Sequence, residues 1–290
     1  MPDETVKGPP EVNRRRVRNI LRDARESIGL TQKQAAERVL WSLSKLIRIE
    51  TGAAPTPADV RVLLKEYGFA DDRIAEVVEY AKVARQPDEW EQYKDVYSNA
   101  ALSLFSTEAA ARVIQKYEPS VVPGLLQTED YARELLRSRE IDNSMIDRLL
   151  MVRLQRQEML ERKDCPKLDF ILGEATISRP VGDGYGIIRA QIQRLKALAD
   201  HPKITLRCLP FSAGVHAGMG VSFTVLEFRD AEVPDLVYLE SADRDSIWRD
   251  DKDEVQKYAQ RFGKLQEIAQ PAEEFAAQVE QVAKERFGGL

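Results

Sequence analysis

Between Asn13 and Ile28 the apolar residues Val17, Ile20, Leu21, Ala24 and Ile28 recur at helical steps, which gathers them on one face of a helix. Gly29 follows, in the place where a left-handed residue ends a helix. Thr31, with Gln34 three residues on, is a capping box that opens a second short helix to about Arg38. Ser42 caps a third, with Leu46 and Ile49 facing inward, and Gly52 closes it. Thr56-Pro57 starts a fourth helix, to about Tyr67. Asp71 is expected to cap a fifth, to about Arg85, with Ile74, Val77, Val78 and Ala81 at helical spacing. Gln86-Pro87-Asp88 then reads as a boundary.

Beyond that boundary the pattern changes. A helix is expected over 90–105, with Trp90, Tyr93 and Tyr97 at helical offsets, then a strand within 111–119. Val122-Pro123-Gly124-Leu125-Leu126 is a turn carrying a hydrophobic knuckle, exposed or buried. Thr128 caps the next helix, and a long basic helix covers 142–162. A strand Leu168–Gly173, a helix over 185–200 and strands Ile204–Leu209, Ser222–Phe228 and Leu236–Glu240 follow, before helices over 251–268 and 272–286. The expected organisation is a flexible arm 1–12, a five-helix domain 13–85, a linker 86–92 and an α+β domain with a small sheet over 93–290. The fold class is mainly α.

Charge adds a location. The net charge is −5, which by itself disfavours a nucleic-acid partner. Between Asn13 and Arg48, however, ten Lys and Arg stand against Asp23, Glu26 and Glu37, so that segment carries +7 and the remainder about −12. A positive end on an acidic body is the electrostatic footprint of a DNA-contacting module. A basic helix followed by two short helices joined by a three-residue turn is the geometry that lays the third helix in a major groove. No apolar run approaches the roughly 18 residues of a membrane span, and the polar start lacks a signal pattern, so a cytoplasmic protein is expected, nucleoid-associated when bound to DNA. Cys165 and Cys208 lack ligand spacing and are expected as buried thiols.

LTQKQAAERVLWSLSKLIRIETG (30–52) resembles the lambda-repressor/Cro-like, or XRE, helix-turn-helix pattern. The resemblance implies that Gln32 clamps a phosphate at the second helix, that Leu43, Ser44 and Lys45 face base edges, that Arg48 reaches the backbone or a guanine, and that Ser42 is also a DNA-binding position. It also implies an Arg25–Glu50 pair bridging helices one and three. Two positions depart from the pattern. Leu40 stands where the turn usually holds glycine, at a cost of roughly 1 kcal/mol if the backbone is left-handed. Ile47 replaces a small or polar residue; it either meets thymine methyls with Leu43 or packs on an appended segment or dimer partner.

VPGLLQTEDYA (122–132), Arg156-Gln157, GEATISRPVG (173–182), the Gln191–Leu195 stretch and LPFSAGVHAGMGVSFTVLEF (209–228) resemble the second domain of an actinobacterial set of XRE regulators, the WhiJ-like or Scr-type antitoxin-like family. That resemblance implies a repressor-like regulator of double-stranded DNA, whose second domain meets a small gene-neighbouring partner protein or a ligand. Candidate partner or ligand residues are Leu125, Leu126, Gln127, Tyr131, Glu174, Arg179, His216 and Met219. A homodimer is expected, since one short recognition helix supplies little specificity alone.

The residues offer no catalytic constellation. His201 sits at a helix end and His216 has no ligand-spaced companion. The Gly182/Gly184 pair lacks both phosphate-loop patterns. The acidic run 243–254 reads as a solvated helix entrance. No cofactor, no metal and no catalytic residue is expected. The alternatives to a regulator are a protein-interaction scaffold with degenerate DNA binding, suggested by Leu40 and Ile47, and an enzyme fused to a helix-turn-helix.

Overall fold

The computed structural model of the chain describes residues 8–52, 54–139, 141–183, 185–240 and 247–288. Residues 1–7 of the expected arm, Gly184 and residues 243–246 of the acidic run lie outside the described residues. The chain is mainly α, with a helical N-terminal region followed by a region built around a six-stranded mixed sheet. It divides into two compact units. The first holds residues up to Gln92 with Leu102–Ala110 and Phe228–Pro234; the second holds Tyr93–Ala101, Ala111–Glu227 and Asp235–Leu290.

Five helices make the first unit: α1 Pro10–Ser27, α2 Gln32–Arg38, α3 Leu43–Thr51, α4 Pro57–Glu66 and α5 Asp71–Ala84. Val17, Leu21, Ala35, Leu46, Val60 and Leu63 have no or almost no exposed surface and form its core. α1 starts at Pro10 rather than Asn13, so residues 10–12 of the expected arm are helical. Proline presets the first turn, and the Asn13 amide donates to the carbonyls of Gly8 (2.8 Å) and Pro9 (3.2 Å). At α5 the cap is Ala70 and not Asp71, without a side-chain cap; Asp71 and Asp72 instead occupy the first turn, where the helix dipole favours carboxylates.

Three of these helices end alike. After α1, Gly29 N–H donates to Glu26 and Leu30 N–H to Arg25; after α4, Gly68 N–H donates to Lys65 and Phe69 N–H to Leu64. After α2 the same pair runs from Leu40 to Glu37 (3.1 Å) and from Trp41 to Ala36 (2.8 Å). This is the Schellman closure, which requires a left-handed residue. Gly29 and Gly68 supply it at φ +70° and +82°, and Leu40 is forced to φ +57°. The turn therefore keeps the geometry that glycine would give it, with a strained leucine whose side chain is 93% exposed.

Residues 86–92, expected as a linker, contain a 3-10 turn at Glu89–Tyr93, and α6 spans Asn99–Glu108. The expected single helix over 90–105 is thus broken, with Ser98 Oγ accepting from Ala101 N–H to start α6. Trp90 packs edge-on against Phe105 (5.6 Å between centroids), and Ser106 Oγ donates to Asp88. The segment Phe228–Pro234 closes on α1 through Arg16–Asp230 (2.6 Å) and through Asn19, whose amide donates to the Glu232 carbonyl (3.3 Å). No periodicity in the sequence announces that these distant segments finish the first unit.

The second unit is ordered β3-β2-β1-β4-β5-β6. Its strands are β1 Val113–Glu118, β2 Lys167–Gly173, β3 Ile204–Leu209, β4 Phe223–Glu227, β5 Leu236–Leu239 and β6 Ile247–Arg249. The first three run parallel, with Ile114 beside Leu168 and Leu168 beside Ile204, because helices intervene: α7 Glu129–Arg137 and α8 Asn143–Gln157, then α9 Ala175–Ser178 and α10 Gly186–Ala199. The last three are antiparallel, and no helix separates β4 from β5. β6 lies inside the acidic run read as a helix entrance; Trp248 pairs with Tyr238, their rings 4.9 Å apart. Three residues are too few to show alternation, which is why the run gave no strand signal. Helix α8 also stops at Gln157, short of 162, and continues as a 3-10 turn Glu158–Glu161. Helices α11 Lys252–Ile268 and α12 Phe275–Phe287 complete the unit, and Phe262 and Leu265 of α11 bury Tyr117, Phe223 and Val225.

Leu40→Gly removes the left-handed strain and an exposed apolar side chain. We expect it to raise stability by about 0.5–1 kcal/mol, read as a higher denaturant midpoint at unchanged slope.

Candidate nucleic-acid interface

The helix-turn-helix is held by an ion pair. Arg25 on α1 meets Glu50 on α3 bidentately, Nε to Oε1 at 2.7 Å and a terminal nitrogen to Oε2 at 2.9 Å, and both side chains are buried. The same guanidinium donates to the Leu30 carbonyl (2.8 Å), and Gln32 Nε2 donates to Glu50 (2.8 Å). The hydrogen bond to Glu50, against the opposing effect of burial, raises the Arg25 guanidinium above its usual value. Tyr67 lies close by with a buried hydroxyl, and burial first and Glu50 next push it up to about 12. Gln32, which the resemblance assigns to a phosphate, has its amide held on this pair and is half-buried.

α3 presents one face outward. Leu43 and Ile47 are 41% and 38% exposed, and Ser44, Arg48 and Thr51 share the solvent side, while Leu46, Ile49 and Glu50 face the core. The face mixes one cation, two hydroxyls and two apolar side chains, chemistry that suits base edges and thymine methyls. Two of the expected contact residues are occupied. Ser42 Oγ caps α3 by accepting from Lys45 N–H (3.2 Å). The Lys45 ammonium lies 2.7 Å from Asp59 and 3.5 Å from the Trp41 ring centroid. Burial tends to raise the Asp59 carboxyl, but its bonds with Lys45 and Thr56 hold it below the ordinary range. Lys45 therefore ties α3 to α4 and to the turn.

The +7 segment is largely inward-directed. Arg15, Arg16 and Arg25 are buried; Arg14 and Arg15 bind Glu11 (2.8 and 3.2 Å), and Arg16 binds Asp230 and stacks 4.4 Å from the Tyr80 centroid. The exposed cations include Arg48 on α3 and Lys33 on α2, and also Arg61 and Lys65 on α4. These last two fell outside the segment whose charge the sequence made conspicuous.

Residues 102–281, well over half of the chain, match the family described as Domain of unknown function (DUF5753). The chain belongs to the DUF5753 family. Residues 19–77, which hold α2, α3, α4, half of α1 and half of α5, match the family described as Helix-turn-helix domain, and this supports a DNA-binding regulator in general. No curated protein and no solved structure matches the chain significantly.

Within this DUF5753 protein the candidate residues of the second unit take distinct places. Leu125, Leu126, Gln127 and Tyr131 are buried, and the knuckle forms a 3-10 turn, Gly124–Leu126. Tyr131 Oη accepts from Val122 N–H (3.1 Å), and Gln191 bridges Leu126 O and Thr128 N–H (2.8 and 2.7 Å). Glu174 accepts from Phe211 N–H (2.9 Å) and Arg179 donates to Ser120 O (3.4 Å), so both tie loops together. His216 Nδ1 accepts from Gly218 N–H (3.2 Å), and its ring lies edge-on to Tyr117. Gly218 sits so close to Tyr117 that an added Cβ would lie 2.6 Å from the ring, a contact that needs glycine. Met219 is 60% exposed, with Phe211 and Val215 at 59% and 91% on the same loop.

Both cysteines are buried thiols, and burial pushes Cys208 up to about 12. His201 Nδ1 accepts from Lys203 N–H (3.2 Å), a turn-closing bond. Among the described residues no His, Cys, Asp and Glu group could hold a metal ion, and no helix is long and apolar enough to cross a membrane.

Glu50→Ala leaves the Arg25 guanidinium buried without its carboxylate. We expect a loss of about 3–5 kcal/mol, measured by urea unfolding, against a change within about 0.5 kcal/mol for the exposed Ser44→Ala.

Proposed function

We propose that the chain is a sequence-specific, repressor-like transcriptional regulator that inserts α3 into a DNA major groove, with Leu43, Ser44, Ile47 and Arg48 at the bases and phosphates. The observation that carries this reading is the outward face of α3, held at a fixed orientation by the buried Arg25–Glu50 pair. In this reading Lys33, Arg61 and Lys65 supply phosphate contacts, while Gln32, Ser42 and Lys45 shape the module rather than read DNA. The scaffold alternative loses its motive at Leu40, because that turn keeps its left-handed closure. The arm, the helix-turn-helix domain and the regulatory domain expected from the sequence form part of this proposal, as does a homodimer on a two-fold operator.

The resemblance to WhiJ-like and Scr-type regulators supports control through the second domain by a small partner protein or a ligand. For a partner, the exposed Phe211, Val215 and Met219 on one loop are the apolar group that best suits an interface. The buried Leu125, Leu126 and Tyr131 suit packing instead.

Fluorescence anisotropy on the operator recovered by genome-wide binding-site mapping tests the reading. Arg48→Ala should weaken binding at least tenfold and lower the magnitude of the salt slope by about 1. Leu43→Ala and Ile47→Ala should weaken it chiefly at sites carrying thymine, with unchanged melting. Binding that ignores sequence, or that survives Arg48→Ala together with Lys45→Ala, sinks the groove-reading mechanism.

A further inference from the structure

Helix α8 is apolar on more sides than the fold uses. Ile146, Leu149, Leu150 and Val152 are buried, yet Met151 and Leu154 keep 51% and 39% of their surface exposed. A surface helix ordinarily confines its apolar positions to one inward stripe and sets polar residues opposite. Asp147, Met151, Leu154 and Glu158 follow one another at steps of four, three and four residues, which puts them in one row along α8 and into the 3-10 turn that continues it. The row reads acid, apolar, apolar, acid.

This row lines an open cleft of about 600 Å³. Tyr93 and Leu150, both buried, form its floor, and the Tyr93 hydroxyl is fixed by donating to Gln155 Oε1 (2.8 Å). The first two turns of α7 make the facing wall through Glu129 and Arg133. Arg133 donates to Asp147 Oδ1 (2.6 Å) and to Glu129 Oε1 (3.1 Å), which joins the two helices beside the cleft. All of these residues belong to the second unit. Sites for small molecules occupy roughly 300–1,000 Å³ and combine an apolar floor with a few fixed polar groups, and the cleft meets both conditions.

Charge decides what fits there. Glu129, Asp147 and Glu158 stand against Arg133 alone, so the lining carries −2. Among the described residues the Glu158 carboxylate has neither an ion pair nor a hydrogen bond, while Glu129 and Asp147 share the one guanidinium. Arg148, next to Asp147 in the chain, is bound to Asp95 (2.8 Å). Such a rim repels an anion and gives a neutral apolar molecule no advantage over water. A cation that carries an apolar body suits both the rim and the floor.

We propose that the cleft between α7 and α8 binds an amphipathic organic cation, an alkyl- or arylalkylammonium, with its apolar body on Met151, Leu154 and Tyr93 and its ammonium at Glu158. Glu158 takes the ammonium in preference to Asp147 and Glu129 because those two already hold Arg133. The flexible thioether of Met151 adapts to the shape of the apolar body. The binding itself does not depend on DNA recognition; its role as a control input rests on the regulator reading. The test uses no DNA, so the failure of either leaves the other standing.

The full chain, labelled with ¹³C at its methionine methyl groups, is titrated with phenethylammonium chloride at constant ionic strength. The Met151 resonance, assigned through Met151→Leu, should move saturably with half-saturation at about 10 mM or below, as a ligand of that size allows, while Met219 stays in place. Phenylacetate, phenethyl alcohol and methylammonium, which lack the charge or the apolar body, should each bind at least about fivefold more weakly. Glu158→Gln and Leu154→Ala, both at exposed positions, should each weaken phenethylammonium binding about threefold with unchanged melting, and the exposed Glu273→Gln should leave it as it was. No saturable movement of Met151, equal binding of phenylacetate, or full binding by the Glu158→Gln and Leu154→Ala proteins overturns the proposal. A Met151 resonance that shifts with protein concentration alone also overturns it and makes this face a contact between two copies.

Discussion

The Arg25–Glu50 pair is the constraint on which the first unit depends. A helix of nine residues cannot hold its own orientation, and α3 buries only Leu46 and Ile49 as apolar anchors. The bidentate pair adds direction to that anchoring, because a planar guanidinium and a carboxylate lock in one plane. Leu30 O and Gln32 Nε2 complete the hydrogen bonds of the two ions, so that α1, the start of α2 and the end of α3 meet at one buried point. Isolated pairs of this kind add little net stability over an apolar substitute; what they supply is a unique geometry. That suits a helix whose outer face has to be presented at a fixed angle.

The same chemistry explains why a count of basic residues overstated the electrostatic footprint. Arginine has a long apolar stem and a fork of donors, so it is as useful for fastening helices as for meeting phosphates. In α1 it does the first. Arg14, Arg15 and Arg16 reach Glu11, Ser103, Asp230 and the Ala84 carbonyl, all inside the first unit. Lys45 spans α3, α4 and Trp41. Arg153 does the same with neutral groups, bonding Gln127 and Tyr97.

Much of the architecture was legible. The capping box at Thr31, the caps at Ser42, Thr56 and Thr128 and the apolar periods of α1 to α5 act over four to eight residues, and local signals of that reach survive folding. The outward face of α3 followed from the same period. The short strand β6, the 3-10 turn at Glu89–Tyr93 and the four-residue α9 were not legible, since each is too short to carry a period and is held by neighbours in space. Nor could the sequence tell that Gln32 and Lys45 bond within the module, because their partners stand on other elements.

The sequence by itself determined the apolar faces of α1 to α5, the caps at Thr31, Ser42, Thr56 and Thr128, and the turn that Leu40 must accommodate. These depend on backbone preference and on spacing within one element. Tertiary structure alone decided that Leu102–Ala110 and Phe228–Pro234 complete the first unit, that the knuckle is buried, that most of the conspicuous arginines turn inward, and that Lys116 meets Glu118 and Glu240. Those outcomes depend on which groups lose water together, and that is set by neighbours far apart along the chain.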